Sequence, residues 1–149
     1  MQIELFEPID SDYKKLYLNK ETRYPTVTDV QFLKDDLIIV AHRHASKVYL
    51  IKINPPNYEI LDTLLITLDG KPHQTEALQV LGNKIYLICY SEYLFIIDIC
   101  EKLQVREIIK INNIKTPYHG IEKNNKFIYL TPSRKTEGPD PIIKFDTVS

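Results

Sequence analysis

Tryptophan is absent from this 149-residue chain, and alanine is scarce: Ala41, Ala45 and Ala77 stand against twenty-one isoleucines. A chain that avoids the best helix former and favours a β-branched residue is biased toward strands. Cysteine occurs twice, as Cys89 and Cys100. That is too few for a disulfide scaffold, and the spacing suits neither a CxxC metal site nor a CxxC redox pair. Both are expected as buried, reduced thiols. No charge sign dominates, because 19 basic residues meet 20 acidic ones for a net −1. No broad field therefore draws nucleic acid or an anionic membrane. Four glycines exclude a collagen-like chain. The longest apolar runs, such as Leu37–Ala41 and Leu94–Ile97, fall far short of the ~20 residues that span a bilayer. Met1–Pro8 carries acids where a secretory signal carries a basic segment. Cytoplasmic residence, with neither membrane nor nucleic-acid partner, is the expectation. The GxSxG elbow, P-loop, GxGxxG and HExxH motifs are all missing.

What is present is strand-like from end to end. Hydrophobic residues make up 44% and charged residues 26%, the balance of a folded domain rather than a disordered tail. Apolar positions come in short runs or alternate, as in Val48-Tyr49-Leu50-Ile51-Lys52-Ile53. Only Asp12–Lys20 departs from this, as a helical turn or an exposed loop. The fold class is all-β.

The strands recur. Hairpins are expected at Asp35-Asp36, Gly82-Asn83 and Asn124-Asn125, residues that tolerate the positive φ of tight turns. A further apolar strand follows each, through Ile51, Ile97 and Ile143, at intervals of 46 residues. A period in the forties with several strands per unit matches β-propeller blades. Fourth, more polar strands follow at Tyr58–Ile66 and Val105–Ile111, while the third unit lacks one and Gln2–Glu7 at the other chain end supplies a strand of that character. The reading is a single domain over 1–149, with blades at about 27–66, 75–111 and 118–146 plus strand 2–7. Three blades cannot close a ring of ~4 to 8, and open apolar blade faces are not tolerated in water. A C2 homodimer of two half-propellers, six blades in all, resolves this. The rival architecture is a three-layered or sandwich-like all-β monomer.

This blade-like repeat from about Thr26 onward resembles the six-bladed β-propeller superfamily, of the NHL, strictosidine-synthase-like and gluconolactonase-like kind. The resemblance is one of pattern, without a Trp-Asp dipeptide or a YVTN run. It implies a channel lined by the first strand of each blade. In the gluconolactonase-like group it also implies a divalent cation held by axial acids and amides.

Three segments lead into the first strands: Pro25–Val30, Pro72–Ala77 and Pro117–Ile121. Aligned on the residue before the small or apolar one, Asp29, Glu76 and His119 are equivalent. Two-fold symmetry then gives four carboxylates and two imidazoles, a set able to hold a divalent cation or to act as acid and base. The plainer alternative is polar capping of strand ends. His42-x-His44 places two rings on one face of an extended strand. Arg43 and Arg134 offer bidentate forks for a carboxylate or phosphate, and Tyr90, Tyr93 and Tyr118 offer flat faces. Thr131–Pro141 is the longest polar insertion. A small-ligand-binding homodimer with its site at the channel mouth is the leading expectation. The alternatives are an acid–base hydrolase or cyclase in the same channel, with or without a metal, and a protein-interaction scaffold. Cys89, lacking a base partner, is read as inert.

Overall fold

The computed structural model describes residues 27–54, 57–89, 92–111, 118–132 and 142–147, with the backbone alone at 118–120, 122 and 132. The expected strand 2–7 and the turn at 12–20 lie outside the described residues. Every regular element described is a strand. Among the described residues, thirteen strands form antiparallel sheets. The first sheet runs β1 (Val27–Lys34), β2 (Leu37–His42), β3 (Lys47–Asn54), β4 (Asn57–Leu65) in chain order. A small hairpin follows, β5 (Thr67–Leu68) with β6 (Lys71–Pro72). The second sheet is β7 (Thr75–Leu81), β8 (Lys84–Cys89), β9 (Tyr93–Ile99), β10 (Leu103–Lys110), again in chain order. The third is β11 (Tyr118–Lys123), β12 (Phe127–Pro132) and β13 (Ile143–Asp146). None of the sheets closes on itself among the described residues.

The turns use several chemistries. Asp69 and Gly70 both have positive φ, at 51° and 74°, which suits the β5–β6 hairpin. Gly82 has φ 62° between β7 and β8. Asp35, Asp36, Asn124 and Asn125 do not take positive φ, contrary to expectation. Asn124 instead makes an Asx turn, its Oδ1 accepting the Lys126 and Phe127 amides at 2.9 and 2.8 Å.

Because side chains alternate across a strand, each sheet has two apolar faces, here called forward and back. The forward face of the first sheet (Ile39, Ala41, Val48, Leu50) packs on the back face of the second (Leu78, Val80, Ile85, Leu87, Phe95, Ile97) in one buried cluster. The forward face of the second (Tyr86, Ile88, Leu94, Ile96) packs on the back face of the third (Ile121, Ile128, Leu130, Ile143, Phe145). The sheets are thus stacked in series, with both faces of the second buried. That double burial explains runs such as Tyr93–Ile99, which do not alternate with polar residues. On the back face of the first sheet, Ile38, Val40, Tyr49 and Ile51 are buried on the central strands. Val30 and Phe32 on β1 and Tyr58 and Ile60 on β4 are exposed beside them.

Register refines the alignment of the three sheets. Ile51, Ile97 and Phe145 pair with Ile38, Ile85 and Ile128 respectively. Phe145, rather than Ile143, is therefore the counterpart of Ile97, and the second interval is 145 − 97 = 48 residues.

Candidate functional site

The first strands of the three sheets lie side by side: β7 packs against both β1 and β11. Each begins with a β-bulge. Val27 pairs with His42 and Asp29 with Ala41; Thr75 pairs with Cys89 and Ala77 with Ile88; Tyr118 pairs with Pro132 and Gly120 with Thr131. The extra residues are Thr28, Glu76 and His119. A bulge bends its strand and re-aims one side chain, and bulges gather beside functional sites. Thr28, not Asp29, is the register counterpart of Glu76 and His119. The offset arises because each bulge inserts one residue, which the pattern of small residues does not reveal.

Asp29 is committed elsewhere. Its Oδ1 accepts the Val30 amide at 2.8 Å and its Oδ2 accepts the Leu78 amide of β7 at 3.0 Å. Two residues on, the Gln31 side-chain amide donates to the Leu78 carbonyl at 2.7 Å and accepts the Val80 amide at 3.1 Å. Gln79, the counterpart of Gln31, donates to the Ile121 carbonyl of β11 at 3.1 Å. These side chains satisfy backbone groups at the free edges of β7 and β11. They latch one sheet to the next. The identical residue type in Gln31 and Gln79 was the signal in the sequence that could have found both the latch and the correct register.

Glu76 is buried, and the Arg43 guanidinium donates to its Oε2. The Glu76 side chain is 2% exposed and the Arg43 side chain 30%, so the pair joins the bulge of β7 to the β2–β3 turn of the first sheet with one end in solvent. That turn is tightly specified. The Ser46 amide donates to the Arg43 carbonyl at 3.0 Å, Ser46 holds φ 53°, and the Ala45 amide donates to His42 Nδ1 at 3.2 Å. His42 is buried, and desolvation, aided by the charges of His44 and Lys47, lowers its pKa below 6.5 despite an opposing backbone hydrogen bond. Thr75, fully buried next to Glu76, has a hydroxyl with no hydrogen-bond partner among the described residues.

The structure therefore brings Arg43 to Glu76 and places Thr28, Glu76 and His119 at matching positions of three neighbouring strands. Tyr118 is at the start of β11, while its side chain and that of His119 lie outside the description. Tyr90 and Arg134, with most of the Thr131–Pro141 loop, lie outside the described residues. Among the described residues no group of three His, Cys, Asp or Glu is gathered to hold a metal ion. Cys89 is buried and its thiol pKa is pushed well up by desolvation; Cys100, expected to be buried as well, is exposed just past the end of β9, and neither is bridged.

A concavity of about 200 Å³ lies between the second and third sheets, lined by residues including Lys84, Tyr86, Arg106, Glu107 and Asp146. It mixes both charge signs and is built from β8–β10 and the chain around β13, away from the bulges. No described helix is long and apolar enough to cross a membrane. Comparison with protein-family models and with curated proteins found no match.

Proposed function

We propose that this chain is a half-propeller that pairs with a second copy to make six blades, and that it binds a small ligand at the channel mouth, in the cytoplasm. One observation carries the reading: three adjacent first strands each bear a bulge at the same register position, at Thr28, Glu76 and His119. The three coincident bulges set one extra residue of each first strand at the same end of the three strands, which is where the channel of the proposed propeller would open. The buried Glu76 carboxylate and the partly exposed Arg43 guanidinium add a fixed dipole there, suited to a ligand with a polar head. A divalent cation would require donors from His119 or from the second copy. Catalysis by Glu76 and His119 is the enzymatic variant of the same site. A scaffold role is favoured by a different observation, the exposed apolar residues Val30 and Phe32.

The test is a soluble fragment screen read by backbone amide chemical shifts. Hits are expected to move the amides of 27–29, 42–44, 75–77 and 118–120 together. Hits confined to the concavity at Lys84 and Arg106 would overturn the assignment of the site.

A further inference from the structure

The β2–β3 turn carries Arg43 to Glu76, and one ring nitrogen helps to hold that turn in shape. His42 ends β2 and is 1% exposed. Its Nδ1 accepts the Ala45 amide at 3.2 Å, so that nitrogen presents a lone pair and no proton. Two further ties fix the turn. The Ser46 amide donates to the Arg43 carbonyl at 3.0 Å, and the Ser46 carbonyl accepts the Ile66 amide at 2.7 Å. The Ile66 carbonyl accepts the His73 amide at 2.9 Å, which joins the turn to the chain entering β7. Ser46 holds a φ of 53°, a conformation that a residue with a Cβ keeps only where its surroundings impose it. Between His42 and Ser46, the Arg43 guanidinium reaches the Glu76 carboxylate. The Arg43 side chain is 30% exposed and that of Glu76 only 2%, so the arginine is the half of the pair with a way out.

The charges around the ring come from every neighbouring element. Lys47 of β3 pairs with His42 in the ladder, and Arg43 and His44 follow it in the turn. Asp29 of β1 accepts the Val30 and Leu78 amides, and Glu76 of β7 accepts Arg43. His73, ahead of β7, packs edge-on against Tyr93. Burial, with the charges of His44 and Lys47, favours the neutral His42 ring over a bond to its own backbone that favours the charged one.

We infer that protonation of His42 releases Arg43 from Glu76, which makes the β2–β3 turn a proton-operated latch on the carboxylate of the channel mouth. An imidazolium carries hydrogen on both nitrogens, so Nδ1 then meets the Ala45 amide donor to donor. The turn loses one of the ties that impose the Ser46 conformation and gains a cation beside Lys47 and Arg43. It opens, and Arg43 leaves with it. The mouth is closed by an ion pair at neutral pH and opened by acid. This regulation rests on the reading that places a ligand at the channel mouth, whereas the latch itself is read from the turn.

A pH titration of the full chain between pH 7 and pH 5, followed by nuclear magnetic resonance, tests this. As the His42 ring titrates, protection of the Ala45 and Ser46 amides should fall several-fold. The Arg43 Nε–H resonance should move to that of a solvent-exposed arginine, while the Leu87 and Ile97 amides of the second sheet keep their protection. His42→Asn retains an acceptor for the Ala45 amide without a titration, and should hold the turn shut at pH 5. Glu76→Gln separates the ring from the carboxylate: in that variant the Ala45 and Ser46 amides should still open in acid. A wild-type turn equally protected at both pH values, or an opening that vanishes with Glu76→Gln, overturns the latch whatever binds at the mouth. Fragment hits confined to the concavity at Lys84 and Arg106 overturn the regulation of a binding site and leave the latch in place. Should His42→Asn fail to fold, the wild-type titration with Glu76→Gln decides the matter.

Discussion

At the scale of single residues, one buried polar pair among the described residues stands where two sheets meet. Glu76 and Arg43 tie a bulge of the second sheet to a turn of the first. A buried carboxylate left without its cation is costly, whereas replacing both partners is much milder. Arg43→Ala is expected to lose about 3 kcal/mol by chemical denaturation, and Arg43→Met combined with Glu76→Gln less than half of that. An equal loss in both would mean that the pair contributes through packing alone. His42 makes stability depend on pH. Its Nδ1 accepts the Ala45 amide, which requires the neutral ring, and burial lowers its pKa below 6.5. A folded-state pKa below the unfolded one means that the unfolded chain binds the proton more readily. This contribution is intact above 6.5 and is lost as pH falls below it, toward the folded-state pKa. His42→Asn keeps an acceptor without the titration, so the fall in melting temperature between pH 7 and pH 5 should be smaller in that variant.

At the scale of elements, the sheets are joined by side chains that reach free strand edges. Gln31 serves two backbone groups of β7 and Gln79 one of β11, while Asp62 of β4 accepts the Leu103 amide at 2.7 Å where β10 begins. An unmet buried backbone group costs about 1–3 kcal/mol. Gln31→Leu should therefore destabilise more than Gln79→Leu, and hydrogen exchange should quicken at the Val80 amide in the first and not in the second. Uniform quickening across β7 in both would assign the loss to packing instead. The bulges belong to this scale too. They repeat in the outer strands, where Leu61 of β4 and Arg106 of β10 are the extra residues opposite Leu50–Ile51 and Ile96–Ile97. A bulge strengthens local twist, and matching bulges on inner and outer strands let successive sheets keep one geometry as they stack.

At the scale of the whole molecule, the second sheet is the keystone, since both its faces are buried and its neighbours each lean on one of them. Phe95, wholly buried at the first junction and ringed by His73 at 6.0 Å, concentrates that dependence. If the proposed ring forms, folding is coupled to association and mass action applies. The melting temperature should rise as protein concentration increases through the dissociation constant. A wild-type melting temperature independent of concentration over two decades would mean that pairing adds nothing to the folded state.

The all-β class followed from composition and alternation alone, because a two-residue period and a preference for isoleucine are local properties of the chain. The places of most hairpins were legible for the same reason. Register was not. A bulge shifts everything beyond it by one residue, its position depends on how a strand meets its neighbour, and so Asp29 passed for the counterpart of Glu76 until pairing identified Thr28. The commitment of Asp29 to the Leu78 amide, the burial of Glu76 against Arg43 and the latching by Gln31 and Gln79 all join residues 33 to 49 positions apart. Such contacts exist only once one sheet lies on another. Local chemistry chose the strands; the stacking of sheets decided which polar side chains became structure and which bulges came to stand side by side.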